Sequence, residues 1–504
     1  MQDAVSASGR STVWGLFNQT MRRQPDAPAV DHRGKITTYS ELAMRARRMA
    51  GALRHLGVKR GDRVAILSEN RPEYIEAELA VAMIGAILAC QNWRLAAPEL
   101  EHCVRLVDPN VVLVSPGNAS MLSKLNIGDP RIVEIGAELE DLIAAAPPAD
   151  PDPSVDPEDG LVILYTSGTT GLPKGALVSQ RAMVARMAVG RLDVDWRASD
   201  AFIAWAPMFH MASTDQQLNC LMSGGTVVVV DGMQSDPIID ALETYRVGHF
   251  VMIPGAIEPF LARVAERGCK PKGVGIVGAM ADLVPRQQIL DLMEVVDAPY
   301  CNSFGATETG MPPCSAARIE MGDVAFSLSK QQSSLCEIKL VDDADDEVPD
   351  GEPGEMAVRG PTLFSGYWNA PETNAKDFRN GWFHMGDLFR RNPDATYDFV
   401  DRAKYMIKSG GENIYPAEIE RVLLGDPRIV EAVVVKAPDD RWSEVPVAFV
   451  ASDDEALTEE AVMALCRENL AGYKRPREVR FIGVDDFPRS TSGKVQRHEM
   501  EPWV

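Results

Sequence analysis

The sequence predicts an α/β protein: a large N-terminal domain built on two layered sheets, followed by a small α+β unit. Three observations lead there. The chain has 504 residues, beyond the length at which one hydrophobic core stops growing, so it must divide into domains. Helix-period segments alternate with short apolar runs throughout its first four-fifths. From about Asp401 this alternation gives way to a Gly-rich turn and a compact mixture of helices and strands.

Taken in order, Tyr39–Leu56 has helical periodicity, whereas Arg63–Leu67 and Asn110–Val114 are β-rich, the pattern of helices layered on a parallel sheet. Prolines and acidic residues between Ala144 and Gly160 exclude regular structure, and the apolar run Leu161–Tyr165 follows at once as a buried strand. Ala201–Trp205, Gly225–Val230 and Phe250–Ile253 are short apolar runs at helix-length separations, which predicts a second sheet. In the last part a helix opens at Pro416 and closes before Gly425. Strands are expected near Ile429–Val435 and Val445–Val450, with a helix over Thr458–Leu470.

Composition narrows the function. Lys and Arg total 51 against 73 Asp and Glu, a net charge of -22 that repels phosphate backbones and anionic lipid, so no nucleic-acid partner and no stable membrane insertion are expected. The longest apolar run, Ala77–Cys90, is interrupted by Glu78 and too short to cross a bilayer. The polar N-terminus has no apolar leader segment, and the eight cysteines show no metal-ligand or redox spacing. A cytoplasmic enzyme follows, and a homodimer is left open.

The segment Leu164–Gly175 follows a strand and gathers hydroxyls, glycines and Lys174 into one turn: Thr166, Ser167, Gly168, Thr169, Thr170 and Gly171. Glycines let backbone amides approach phosphate oxygens, hydroxyls donate to them, and a lysine adds positive charge. It is not a Walker A loop, because Pro173 replaces the required glycine and Gly175 the hydroxyl after the lysine. The run Gly273–Gly278 formally fits a dinucleotide fingerprint, but it follows polar Lys270–Lys272, and its apolar residues read as a strand themselves.

The phosphate loop resembles the signature of the adenylate-forming superfamily, which includes acyl-CoA synthetases, and further segments match that family's motifs in order from residue 164 to 494. Asn302, Ser303, Phe304, Thr307 and Glu308 fall in a segment where the family stacks an aromatic on adenine, contacts the α-phosphate with Thr and holds Mg2+ with Glu. Phe304 replaces the common tyrosine. Trp382–Asp387 resembles the ribose segment, with Asp387 as the bidentate acceptor and Met385 in place of the usual Thr. In Asp401–Ile414, Arg402 takes a ribose position, Lys404 the interdomain pivot, and Gly410 and Gly411 the glycines lining a pantetheine tunnel, while Asp401 stands where the family usually has Gly. Pro488–Lys494 resembles the loop bearing the adenylation lysine, here Lys494, and His210 falls at the family's acyl-tunnel gate. Gly278, Ala279 and Met280 match a wall between adenine and acyl group. Met280 joins His210, Met211, Ser213, Asp215 and Gln216 as the expected acyl-pocket lining, where Asp215 should disfavour a second anion.

The resemblance implies a domain of residues 1–403 binding ATP and acid, including a β-rich subdomain, and a small mobile lid of residues 404–504. It implies conversion of a carboxylic acid and ATP to acyl-AMP and pyrophosphate, then transfer to coenzyme A by lid rotation. Lys494, Thr166, Glu308 and His210 would be catalytic, and Glu308 the Mg2+ ligand. The acid is left open among medium-chain, aromatic and alicyclic classes. A carrier-protein acceptor and a non-catalytic nucleotide-binding protein are the alternatives; that no carrier module follows Val504 favours a diffusible thiol.

Overall fold

The computed structural model describes residues 8–166, 172–194, 196–253, 255–409, 412–439, 441–454, 456–489 and 495–504. It divides into two compact units, Met1–Ile338 with Val358–Gly381, and Lys339–Ala357 with Trp382–Val504.

In the first unit one six-stranded sheet runs in the order Arg131–Glu134, Val111–Val114, Arg63–Leu67, Ile87–Gln91, Gly160–Thr166, Lys174–Ser179. The first five strands are parallel and the last antiparallel. The inner strands are buried along their length, as apolar runs covered on both faces should be. The expected helix at Tyr39 runs to His55 and starts with a reciprocal cap: Thr38 Oγ1 accepts from Glu41 N, and a Glu41 carboxylate oxygen accepts from Thr38 N. The helix Ala137–Ala145 takes in the first two residues of the expected Pro/Asp connection.

The second expected sheet consists of two four-stranded halves joined by an isolated bridge between Ala201 and Val247. One half holds Pro28–His32, Lys35–Thr38, Phe202–Ala204 and Val227–Val229, and the other Val247–Phe250, Val274–Val277, Tyr300–Cys301 and Arg318–Ile319. The strand expected at Phe250–Ile253 lies instead at Val247–Phe250, because Gly248 and His249 are accommodated inside it. A Cβ on Gly248 would come within 2.6 Å of the Trp196 ring, and buried His249 bonds the Gly278 carbonyl through Nε2 at 2.8 Å. Val274–Val277 is a strand, as the rejection of the dinucleotide fingerprint required.

A further sheet, most of it in the second unit, sets Glu337–Val341, Pro353–Arg359, Trp382–Arg391 and Tyr397–Arg402 side by side. Beyond them the long antiparallel pair Ile429–Asp439 and Ser443–Ser452 is buried on both faces. Val434, Ala448 and Val450 meet Ile419 and Leu423 of helix Pro416–Leu423 and Val462 and Cys466 of helix Glu459–Asn469. Val433, Val435, Val447 and Phe449 face the other way, against Phe487 and Met500, the period-two alternation of strands. The anticipated boundary after residue 403 falls inside this second unit. Among the described residues, no helix is long and apolar enough to cross a membrane.

Candidate active site

Thr166 closes strand Gly160–Thr166 and pairs in register with Lys174, which opens the antiparallel strand. The loop therefore leaves and re-enters the sheet at adjacent positions. Ser167, Gly168, Thr169, Thr170 and Gly171 lie outside the described residues. Segment 365–368 runs beside the returning strand: Ser365 N donates to Leu177 O, Leu177 N to Gly366 O, and Trp368 N to Gly175 O. This places Tyr367 so that Lys174 Nζ sits 4.4 Å from its ring centroid and its hydroxyl donates to Glu308 Oε1 at 2.7 Å. One aromatic side chain thus joins the lysine of the phosphate loop to the acidic residue expected at the metal. Nothing in the sequence pattern marked Tyr367.

Glu308 lies in the turn of a hairpin formed by Phe304–Ala306 and Gly310–Cys314. Thr309 Oγ1 accepts from Ala306 N and Thr309 N donates to Ala306 O, closing the turn. Asn302 and Ser303 are buried ahead of it. Asn302 Nδ2 donates to Leu328 O and Ser329 O, and its Oδ1 accepts from Lys330 Nζ at 2.7 Å. Lys330 is fully buried and also forms an ion pair with Asp282, so one ammonium ties the Asn302 segment to the chain just beyond Met280. Lys330 stands in a polar Ser/Gln run that gave no sign of this role.

The expected wall is held by precise backbone contacts. Gly278 has φ +79°, and a Cβ there would lie 2.1 Å from Tyr300, so only glycine fits. Gly278 N donates to Phe250 O, and Tyr300 OH donates to Ala279 O at 3.1 Å. Met280 follows with φ +53°.

His210 is exposed at the N-terminus of helix Met211–Ser223, where Nδ1 accepts from Ala212 N at 3.2 Å; it is not a core histidine. Three other residues expected to line the acyl pocket lie on the same helix. Ser213, Asp215 and Gln216 are buried, and their polar atoms face the protein: Ser213 Oγ donates to Ala206 O, and Gln216 Oε1 accepts from Asn219. Asp215 pairs with Arg186 Nη1 at 2.8 Å, both side chains being 2% exposed. Arg186 Nη2 donates to Thr307 O and Nε to Thr362 O. Burial pushes the Asp215 carboxyl up, and the Arg186 guanidinium pulls it back. With Arg186 compensating its charge, Asp215 does not present a bare anion to a ligand. The sequence signal for Arg186 was a lone charge in the apolar stretch Ala182–Val189.

In the second unit Asp387 and Arg402, both expected at the ribose, are cross-strand neighbours, with Arg402 Nε 3.0 Å from Asp387 Oδ1. Lys404 Nζ lies 4.6 Å from the Tyr405 ring centroid. Gly410, Gly411 and Lys494 lie outside the described residues. The residues flanking Lys494 are tied together by a bridge between Arg489 and Val495 and a Gln496 N to Pro488 O hydrogen bond.

Among the described residues no cluster of three or more His, Cys, Asp or Glu side chains could cage a metal ion. Glu308 is a single carboxylate anchored through Oε1, which suits Mg2+ held by one protein carboxylate together with phosphate oxygens and water.

In the first unit, Lys174 and Glu308 are thus joined through Tyr367, beside the ends of the loop expected to grip phosphate; in the second, Asp387 pairs with Arg402 on a neighbouring strand. The chain belongs to the AMP-binding enzyme family, whose models match residues 17–368 and, for the C-terminal domain, 418–494. It is 34% identical to a feruloyl-CoA synthase of an Amycolatopsis species over 96% of this chain and 98% of that protein. It is also 34% identical to an indoleacetate–CoA ligase of Aromatoleum aromaticum, over 95% and 96%. Its fold matches o-succinylbenzoate CoA synthetase from Bacillus subtilis in complex with its acyl-adenylate intermediate. The TM-score is 0.85 at 25% identity, covering 97% and 98% of the two chains.

Proposed function

We propose that this ATP-dependent acyl-CoA ligase activates an aromatic carboxylic acid, with its own residues divided between two half-reactions. The observation that supports this site is the Lys174–Tyr367–Glu308 junction, which sets a cation and a carboxylate suited to a metal on one side chain beside the loop proposed to grip phosphate. The aromatic class rests on the relatives: feruloyl, indoleacetyl and succinylbenzoyl groups all carry an aryl ring.

In the first half-reaction a carboxylate oxygen attacks the α-phosphorus of ATP, the bond to the β-phosphate oxygen breaks, and pyrophosphate leaves. Thr166 and the following loop hydroxyls grip the departing phosphates, and Lys494 stabilises charge developing at the α-phosphate. Glu308 would hold Mg2+, which supplies charge neutralisation at the phosphates when bound. Gly278, Ala279 and Met280 separate adenine from the acyl group, Phe304 offers its ring face to adenine, and Asp387 and Arg402 receive the ribose. In the second half-reaction the CoA sulfur attacks the acyl carbonyl, the bond to the adenylate oxygen breaks, and AMP leaves. Rotation of residues 404–504 about Lys404 removes Lys494 and brings Gly410 and Gly411 to the thiol's path, while His210 gates the acyl tunnel. The eight free cysteines fit the cytoplasm, where CoA is available.

A panel of ferulate, indole-3-acetate, benzoate, hexanoate and cyclohexanecarboxylate, scored by pyrophosphate release and thioester chromatography, tests the acid class. Aryl acids should lead, and a clear preference for hexanoate would refute the class. Lys494→Ala should abolish pyrophosphate release yet spare thioester formation from supplied acyl-adenylate; equal loss of both steps would refute the division of labour.

A further inference from the structure

Asp401 lies near the end of strand Tyr397–Arg402, three residues ahead of the Lys404 pivot, and its side chain is 3% exposed. Oδ1 accepts from Arg402 N at 2.6 Å. Oδ2 accepts at 2.7 Å from Ala417 N, in the first turn of helix Pro416–Leu423 beyond the pivot. Tyr415, the residue preceding that helix, makes no side-chain cap, so Asp401 serves one of its orphan N–H groups from elsewhere in the chain.

The same carboxylate reaches the C-terminal arm. Arg497 Nη1 lies 3.7 Å from Asp401 Oδ1, while Arg497 Nη2 lies 2.6 and 2.8 Å from the two Glu420 oxygens. Glu420 Oε1 also accepts from Val434 N at 2.7 Å. The Arg497 guanidinium is 4.4 Å from the centroid of the Tyr405 ring, which Lys404 also approaches. Arg497 follows Lys494 by three residues. The strand before the pivot is thus joined through Asp401 to the helix after it and to the arm that carries the adenylation lysine.

We propose that Asp401 is a positioning residue that biases the enzyme between its two half-reactions by holding one lid orientation about Lys404. The proposal rests on the pivot reading above. Tyr397–Arg402 is locked by its ladder to Trp382–Arg391, with Asp401 opposite Leu388. Turning Ala417 and Arg497 about Lys404 must therefore break both their contacts with Asp401. That leaves a helix N–H uncapped and a buried carboxylate without its arginine, a cost borne by only one orientation. The glycine usual in the resembled family could make neither contact. Losing a charge-assisted cap shifts a two-state balance on the order of tenfold.

The test measures two single-turnover rates for the parent, Asp401→Asn and Asp401→Gly, using the best acid of the panel. One is pyrophosphate release without CoA, and the other is thioester formation from supplied acyl-adenylate and CoA. Asp401→Gly should change the ratio of these rates at least fivefold while the fold, followed by thermal melting, persists. Asp401→Asn, which keeps an acceptor for Ala417 N, should fall between, and Arg497→Gln should move the ratio in the same direction as Asp401→Gly. Equal scaling of both rates, or no change, overturns the proposal. Lys404→Pro is the control for the pivot: if it leaves both rates intact, the rotation reading fails and the proposal falls with it, whereas an impaired Lys404→Pro with an unchanged Asp401→Gly ratio sinks the proposal alone.

Discussion

Tyr367 donates its hydroxyl proton to Glu308 Oε1 across 2.7 Å while its ring carries Lys174 Nζ at 4.4 Å, so one side chain fixes two groups of opposite charge. Removing the hydroxyl leaves the ring and its lysine but frees the carboxylate to rotate. Partners that orient a metal ligand are typically worth about 10–100-fold in metal affinity or activity. Tyr367→Phe should therefore raise the Mg2+ concentration needed for half-maximal pyrophosphate release by about tenfold or more, with ATP-independent thioester formation from acyl-adenylate unchanged. A Mg2+ titration of both steps checks this.

The Arg186–Asp215 pair predicts a stability effect with a definite asymmetry. Both side chains are 2% exposed, and Arg186 also donates to two backbone carbonyls, so it cannot follow its partner into solvent. Truncating one member of such a pair leaves an uncompensated buried charge and costs about 3–5 kcal/mol. Asp215→Ala should lose stability in that range by urea denaturation, and the double variant Arg186→Met with Asp215→Leu should recover most of it. Equal destabilisation by the single and double variants would show that the helix packing, not the charge, is what matters.

Lys330 joins Asp282 to Asn302 and is itself fully buried. Lys330→Met preserves the stem and deletes the ammonium, leaving Asn302 Oδ1 without its donor. Because Asn302 leads into Phe304 and Thr307, the first readout should be nucleotide binding: a rise in the KM for ATP exceeding the fall in kcat. Steady-state kinetics of pyrophosphate release against ATP concentration distinguish this from general unfolding, which lowers kcat alone through loss of active protein.

What could be read ahead of the structure divides along physical lines. Tyr39–Leu56, Arg63–Leu67, Pro416 to Gly425 and Thr458–Leu470 were legible because periodicity, capping residues and apolar runs are local signals. The strand at Val247–Phe250 was misplaced because Gly248 and His249 look unsuited to a strand until Trp196 and the Gly278 carbonyl are brought against them. Resemblance puts Asp387 and Arg402 each at the ribose, and strand register is what makes them partners. Tyr367 and Lys330 are not legible because each acts through partners more than 25 residues away, and for Arg186 a lone charge in an apolar stretch gives no hint of which distant partner it meets. The polar residues Ser213, Asp215 and Gln216 are legible as pocket candidates from polarity in a helix beside the gate, but their internal partners are not. Ser213 Oγ, one Asp215 oxygen and Gln216 Oε1 each meet a partner inside the protein.

His249 allows a prediction about acid sensitivity. Its Nε2 lies 2.8 Å from Gly278 O, so that nitrogen carries a proton and donates, while Nδ1 is buried without a hydrogen-bond partner among the described residues. Burial holds its pKa below the ordinary value of 6.5, with the Gly278 carbonyl opposing that shift. Once the chain unfolds, the imidazole regains its ordinary affinity for a proton, so below about pH 6.5 the unfolded state binds more protons than the folded one. Stability from this residue is therefore fully present above that pH and is lost as the pH falls toward the depressed folded value. His249→Gln keeps an N–H donor for the carbonyl and removes the titration. The drop in melting temperature between pH 7.5 and 5.5 should be smaller in His249→Gln than in the parent, measured by calorimetry at both pH values. An identical drop would mean that His249 is already solvated enough in the folded state to accept its proton there.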